Sequence, residues 1–292
     1  MFPNNLKLHL EQVLSRELHR DLVITRVVPL RKKSSLHQTF RLECELGFVF
    51  LKLNYMQHLP QFEAEAAGLT ALKRYLRVPE CLGTGKFLTY SYLLLSWVEE
   101  QLWTRGKWVE CGQELAYMHR HARSEEFGWG HDNYLGTQQQ LNTRSSNWVH
   151  FFRDYRLRPS VEIARQKSAL PEDEVRRFTR LYARLPDLLL DERPCLIHGD
   201  MWGGNHLNTQ DGITFFDPAV HYSQREAELA LTTLFRQFPA EFYEGYQSQY
   251  PLQPDWHTRA SLYNLYPLLV HLNLFGDDYL PEIQNVLRYY VG

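Results

Sequence analysis

The stretch Leu196-Ile197-His198-Gly199-Asp200-Met201-Trp202-Gly203-Gly204-Asn205, followed by Phe215-Phe216-Asp217-Pro218, constrains this chain more than any other. An apolar run, Cys195-Leu196-Ile197, enters a glycine-rich loop that presents one carboxylate and one carboxamide. A second apolar run, Ile213 to Phe216, predicts a short buried strand with another carboxylate at its end. Taken singly, Asp200 reads as a capping residue and Asn205 as a turn residue. Those readings do not account for the set.

An Asp, an Asn five residues on and a strand-borne Asp form the layout that phosphoryl transfer requires. Asp200 is placed to orient an attacking hydroxyl and accept its proton, while Asn205 and Asp217 hold magnesium on the phosphates. Protein kinases keep the same five-residue step. His198 is not needed as acid or base and is expected to hold the loop by bonding to backbone. Trp202 either stacks on a substrate or fills core. Arg225-Glu226 and Glu228 are read as an ion pair bracing the loop from behind.

Upstream, Leu6, Leu10, Val13, Leu14 and Leu18 predict an amphipathic opening helix. Strands are expected over residues 22–29, 39–45 and 48–53, with Gly47 at a turn. Lys52 interrupts the apolar run Phe48 to Leu53 and either faces solvent or needs a buried partner. A helix opening at Phe62 offers Glu65, which lies beside its apolar face and suits the role of that partner. The kinase arrangement aims such a lysine at nucleotide phosphates. Tyr92 to Val98 predicts a strand running into a hinge near residues 96–100, where Ser96 and Val98 would offer backbone groups to adenine. The remainder reads as helical, over residues 108–121, 148–157, 171–190, 225–237, 239–249, 256–275 and 281–290. Strands early and helices late predict an α+β, two-lobed protein-kinase-like fold. Residues 1–96 would form a small β-rich nucleotide-binding lobe with one paired helix, and residues 97–292 a larger, mainly helical catalytic and substrate-binding lobe.

Other classes are disfavoured. With 32 basic and 34 acidic residues the net charge is −2, so no global field argues for nucleic acid or an anionic membrane. The four cysteines include no Cys-x-x-Cys pair, and the histidines show no His-Glu-x-x-His spacing. Neither a Gly-x-Ser-x-Gly elbow nor a Gly-x-x-x-x-Gly-Lys-Ser/Thr loop occurs. The N-terminus lacks a basic segment before an apolar core, so no signal peptide is expected and a cytoplasmic location is.

His198-Gly-Asp-Met-Trp-Gly-Gly-Asn205 with Phe216-Asp-Pro-Ala219 resembles the fructosamine kinase (ketosamine kinase) family, part of the aminoglycoside-phosphotransferase-like group. Phe62-Glu-Ala-Glu-Ala66 is similar to its helix after the strand lysine. The stretches from Phe127-Gly128 through Asn133, Gly136, Gln140, Asn142 and Trp148 to Leu157, and Tyr266 to Tyr279, are similar to it as well. The resemblance implies ATP- and Mg2+-dependent phosphorylation of the 3-hydroxyl of a ketosamine, free or on a protein lysine, leading to deglycation. It further implies Asp200 as base, Asn205 and Asp217 as magnesium ligands, Lys52 on the phosphates with Glu65 as its partner, and Trp202 on the substrate. Where the family carries paired glycines over the nucleotide, this chain has Lys32-Lys33-Ser34-Ser35-Leu36-His37, so Ser34 and Ser35 would take that place. Gln224 and Glu228 stand where the family usually has aspartates. The protein is expected to act as a monomer or weak homodimer. The alternatives are a kinase of this fold for another hydroxyl (an aminoglycoside, choline or homoserine) and a degenerate kinase that only binds. The aromatic, mixed-charge stretch Phe127–Leu157 favours the sugar-amine reading over a polycation.

Overall fold

Helix α1 (Asn4–Glu17) buries Leu6, Leu10 and Leu14, one apolar stripe at helical spacing. In this computed structural model, which describes residues 2–30, 36–45, 47–102 and 104–292, the stripe lies on a β-sheet. The sheet comprises β1 (Ile24–Leu30), β2 (Gln38–Cys44), β3 (Gly47–Tyr55), β4 (Cys81–Phe87) and β5 (Tyr90–Ser96). Its order is β1-β2-β3-β5-β4, and every neighbouring pair is antiparallel. Pro29, expected at the end of a strand, lies inside β1. That strand is an edge, where a missing N–H is tolerated.

Strand alternation sorts β3 between two cores. Val49, Leu51 and Leu53 pack with the residues that meet α1, whereas Phe50 joins Phe62, Leu69, Leu93 and Leu95 against α2 (Leu59–Leu72). Lys52 shares the α2 face by the same parity. These elements form one compact unit, residues 1–102, together with Leu207–Phe216.

The second unit comprises residues 103–206 and Asp217–Gly292. Its elements are α3 (Arg105–His121), the short hairpin β6 (Asn133–Leu135) and β7 (Gln138–Gln140), α4 (Trp148–Phe152), α5 (Arg158–Gln166), α6 (Glu172–Leu188) and β8 (Cys195–Ile197). After the pair β9 (His206–Thr209) and β10 (Gly212–Phe215), which from Leu207 on belongs to the first unit, the second unit continues with β11 (His221–Ser223), α7 (Arg225–Leu231), α8 (Ala240–Gln249), α9 (Trp256–Phe275) and α10 (Leu280–Val291). Between α4 and α5 the chain stays helical through a π-type turn, Arg153–Leu157. The core of this unit gathers Phe127, Trp148, Phe151, Phe152, Leu157, Phe178 and the buried face of α9.

The helix expected over 225–237 stops at Leu231. Thr232 Oγ1 donates to Leu229 O and Thr233 Oγ1 to Ala230 O, while Asn264 Nδ2 also donates to Ala230 O. These bonds occupy carbonyls that a further turn would use. The strand expected at Ile213 to Phe216 forms as β10, all four of its residues buried, and ends two residues before Asp217. Among the described residues no helix is long and apolar enough to cross a membrane.

Candidate active site

β8 pairs antiparallel with β11, matching Ile197 with His221 and Cys195 with Ser223. The 198–205 loop therefore leaves a strand that is completely buried. Gly199 adopts φ 82°, and a Cβ there would lie 2.2 Å from Ala219 O, so backbone conformation and space both demand glycine. His198 O accepts the Ala219 N–H at 2.8 Å, and His198 Nδ1 accepts the Asp200 N–H at 3.2 Å. His198 thus holds the loop through backbone, as its position suggested.

Asp200 and Asn205 meet directly. Asn205 Nδ2 donates to Asp200 Oδ2 at 2.7 Å and to Asp200 O at 3.0 Å. Oδ1 of Asp200 is buried. Burial, and then the negative charge of Asp217, push the Asp200 carboxyl up to about 7, against the opposing bonds from the Asn205 and Trp202 side chains. Asp217 sits in left-handed backbone at φ 59°, a conformation that Asp tolerates better than bulkier residues. Two acidic side chains and a carboxamide thus converge at one place. Because the Asn205 amide nitrogen is engaged by Asp200, its Oδ1 is the atom left for a hard cation. The donor set, oxygens only, fits magnesium, which usually takes one or two carboxylates and completes its shell with phosphates and water. Among the described residues no cluster of three or more His, Cys, Asp or Glu side chains forms a denser metal cage.

The brace behind the loop differs from the ion pair read in the sequence. Glu228, completely buried, accepts the His198 N–H on Oε2 and the Gly199 N–H on Oε1, the latter at 3.1 Å. Arg225 pairs instead with Glu192 (2.9 Å), and Glu226 with Arg259 (2.6 Å). Burial raises the Glu228 carboxyl to about 8, although both N–H bonds favour its charged form.

In the Phe127–Leu157 stretch, read as favouring one substrate class, the side chains of Asn133, Gln140, Asn142 and Arg156 are buried and bond within the fold. Asn133 Nδ2 donates to Val220 O at 2.8 Å, and Gln140 Nε2 donates to Asn133 Oδ1 at 2.7 Å and Ala219 O at 3.1 Å. Asn142 Nδ2 also reaches Asn133 Oδ1, Arg156 Nη2 donates to Asn142 Oδ1, and Tyr266 OH donates to Gln140 Oε1. This network anchors the backbone just after Asp217. The sequence showed these amides but gave no signal that they act through Ala219 and Val220.

In the first unit Lys52 is 6% exposed, and its Nζ donates to both Oε1 and Oε2 of Glu65, each at 2.8 Å. The ammonium is therefore internal rather than solvent-facing, and Glu65 is its carboxylate. The N–H of Ser96 donates to Glu80 O at 2.8 Å and its hydroxyl accepts the Glu80 N–H at 2.9 Å. Both groups face β4's leading segment. Val98 is half-buried in irregular chain beyond β5. Ser34 and Ser35 lie outside the described residues. Trp202, in the second unit, is partly exposed and meets Phe235 edge-on, with ring centroids 5.7 Å apart.

The family model of fructosamine kinase matches residues 8–291. The chain belongs to the fructosamine kinase family. It is similar to a Synechocystis protein named "Probable ketoamine kinase", with 38% identity over 82% of this chain and 81% of that one. A crystal structure of a candidate fructosamine-3-kinase from Thermobifida fusca superposes with a TM-score of 0.84 at 32% identity, covering 96% of this chain and 97% of that one. One from Haemophilus somnus does so with a TM-score of 0.90 at 24% identity, over 99% and 100%. A thermostable mutant of aminoglycoside phosphotransferase APH(4)-Ia, in ternary complex with AMP-PNP and hygromycin B, shares the fold alone, with a TM-score of 0.63, 15% identity and 97% and 99% coverage. This member of the fructosamine kinase family is thus an ATP-dependent kinase with the α+β, protein-kinase-like fold.

Proposed function

We propose that the protein phosphorylates the 3-hydroxyl of ketosamines, on free amines or protein lysines, and so initiates deglycation. The observation that carries this reading is the convergence of Asp200, Asn205 and Asp217, in a chain of the fructosamine kinase family whose relatives are named "Probable ketoamine kinase". Asp200 is the base: a carboxyl raised toward neutrality by burial is matched to taking a proton from a sugar hydroxyl. Asn205 holds it by the amide nitrogen, and with Asp217 it would hold magnesium. Magnesium, when bound, neutralises charge on the transferring phosphate. Lys52, oriented by Glu65, meets the nucleotide phosphates. The backbone around Ser96 and Val98 serves adenine, and Trp202 contacts the acceptor. Residues 1–96 act as the nucleotide lobe and residues 97–292 as the catalytic lobe.

The test is ADP release from ATP and magnesium with ribulose-lysine and fructose-lysine, beside an aminoglycoside and choline. Turnover with either ketosamine supports the reading. Turnover only with another hydroxyl keeps the kinase and discards the substrate. Nucleotide binding without any turnover points to a binding protein.

A further inference from the structure

Trp202 is the first of a chain of touching rings. Phe235 contacts His271 at 4.8 Å and Tyr279 at 5.7 Å between centroids, and His271 contacts Phe275 at 5.5 Å. Tyr279 packs partly against the core, but core packing does not account for Phe235 and Phe275, which are 46% and 47% exposed. Phe235 also occupies left-handed backbone at φ 58°, a conformation costly for a bulky side chain. The segment carrying it is fixed against the catalytic loop. A Cβ on Gly203 would fall 2.5 Å from Arg236 Cβ, and Arg236 Nη1 donates to Gly203 O at 3.4 Å. An exposed ring held in strained backbone beside a catalytic loop has a contact to make outside the fold.

Acceptors and carboxylates lie next to these rings in the chain, and the guanidinium of the adjoining Arg236 is a cation of the same segment. His271 shares a hydrogen bond with Pro267 O at 2.8 Å through Nδ1, which must carry the proton because a carbonyl only accepts. Burial lowers the pKa of this imidazole, so the ring is neutral and Nε2 retains an acceptor lone pair. Asp277 and Asp278, both exposed, immediately precede Tyr279. The guanidinium of Arg236 is turned to the Gly203 carbonyl. Ring faces, an imidazole acceptor and flanking carboxylates suit an alkylammonium: a cation with N–H donors and an apolar stem.

We propose that Phe235, His271, Phe275 and Tyr279, continuing from Trp202, form a subsite for the positively charged alkylamine portion of the acceptor. This rests on the ketosamine reading above and deepens it, since the nitrogen of a ketosamine is a secondary amine that is protonated at neutral pH. The sugar hydroxyl is then presented to Asp200 by a contact made on the amine side of the molecule.

The experiment compares the wild type with Phe235→Asn, which keeps a residue tolerant of positive φ, and with Phe275→Ala at an exposed site. Fructose-lysine and its N-acetylated counterpart, which keeps the sugar but loses the charge, are assayed in parallel. Nε-methyl-lysine, a secondary alkylammonium without sugar, is titrated calorimetrically against all three proteins. Each variant is expected to raise KM for fructose-lysine about tenfold with kcat within about twofold, to leave the acetylated substrate unaffected, and to weaken Nε-methyl-lysine by a similar factor. Nε-methyl-lysine binding that weakens in the variants supports the subsite even if no ketosamine is turned over, in which case only the functional reading fails. Equal binding by wild type and variants, or none, overturns the subsite whatever the kinetics. Equal KM changes for charged and acetylated substrates overturn it too.

Discussion

Glu228 accepts the backbone N–H of Gly199 at 3.1 Å with one carboxylate oxygen, and that of His198 with the other. One buried side chain from α7 thereby fixes the loop in which Asp200 stands one residue further on. Replacing Glu228 by Ala strips both donors of their partner in a dry interior. The expected cost is about 2–4 kcal/mol of stability, together with a fall in kcat that exceeds any change in KM for ATP. Urea unfolding and steady-state kinetics on the same preparation check both parts; unchanged stability would mean that the loop holds itself.

Asp200→Ala is expected to lower kcat by at least about 10²–10⁴-fold, the usual range for a general base, with nucleotide binding nearly intact. Asp217→Ala is expected to abolish the magnesium dependence of nucleotide binding as well. Calorimetric titration of AMP-PNP with and without magnesium separates the two. A variant of either residue with full activity would remove that residue from the site.

The Lys52–Glu65 pair is buried on both sides, and breaking such a pair strands a charge. Glu65→Ala is expected to destabilise the protein by about 3–5 kcal/mol and to raise KM for ATP. Lys52→Met, which removes the cation but keeps the bulk, should weaken ATP by removing the charge that meets the phosphates. Thermal unfolding with and without ATP distinguishes the two variants.

Two fully buried imidazoles set an acid limit. His119, bonded to Tyr246 OH at 2.8 Å, and His221 are both held well below the ordinary value of 6.5 by burial. The unfolded chain binds a proton on each as pH falls through 6.5, and the folded chain does not. Their contribution to stability is therefore complete above that value and is lost progressively below it. The raised carboxyls of Asp200 and Glu228 act in the opposite sense, so the informative quantity is a difference between proteins. His119→Asn is expected to lose less stability than the wild type between pH 7.5 and 5.5, measured as urea midpoints; parallel curves would refute the assignment.

Gly199→Ala is expected to destabilise the protein by more than about 1 kcal/mol and to lower kcat, because positive φ and the Ala219 carbonyl both oppose a Cβ. A variant with wild-type unfolding and turnover would show that the loop can move away from Ala219.

Sequence alone determined the pieces whose cause is local. The spacing from Asp200 to Asn205 and Asp217, the parity that puts Lys52 on the opposite face of β3 from Leu51 and Leu53, and the stripe Leu6-Leu10-Leu14 are all written in neighbouring residues, since strand and helix periods fix which side chains share a face. Tertiary structure decided the pairings between distant segments. Glu228 was legible as a brace but not as an acceptor for two backbone N–H groups, Arg225 and Glu226 turned to Glu192 and Arg259, and the amides of Asn133 and Gln140 proved to be anchors for Ala219 and Val220. The rings of Phe235, His271 and Tyr279 likewise meet only because α7 ends early and turns back over the catalytic loop. A buried polar group takes whichever partner the packed core brings within reach, and no spacing in a chain records that choice.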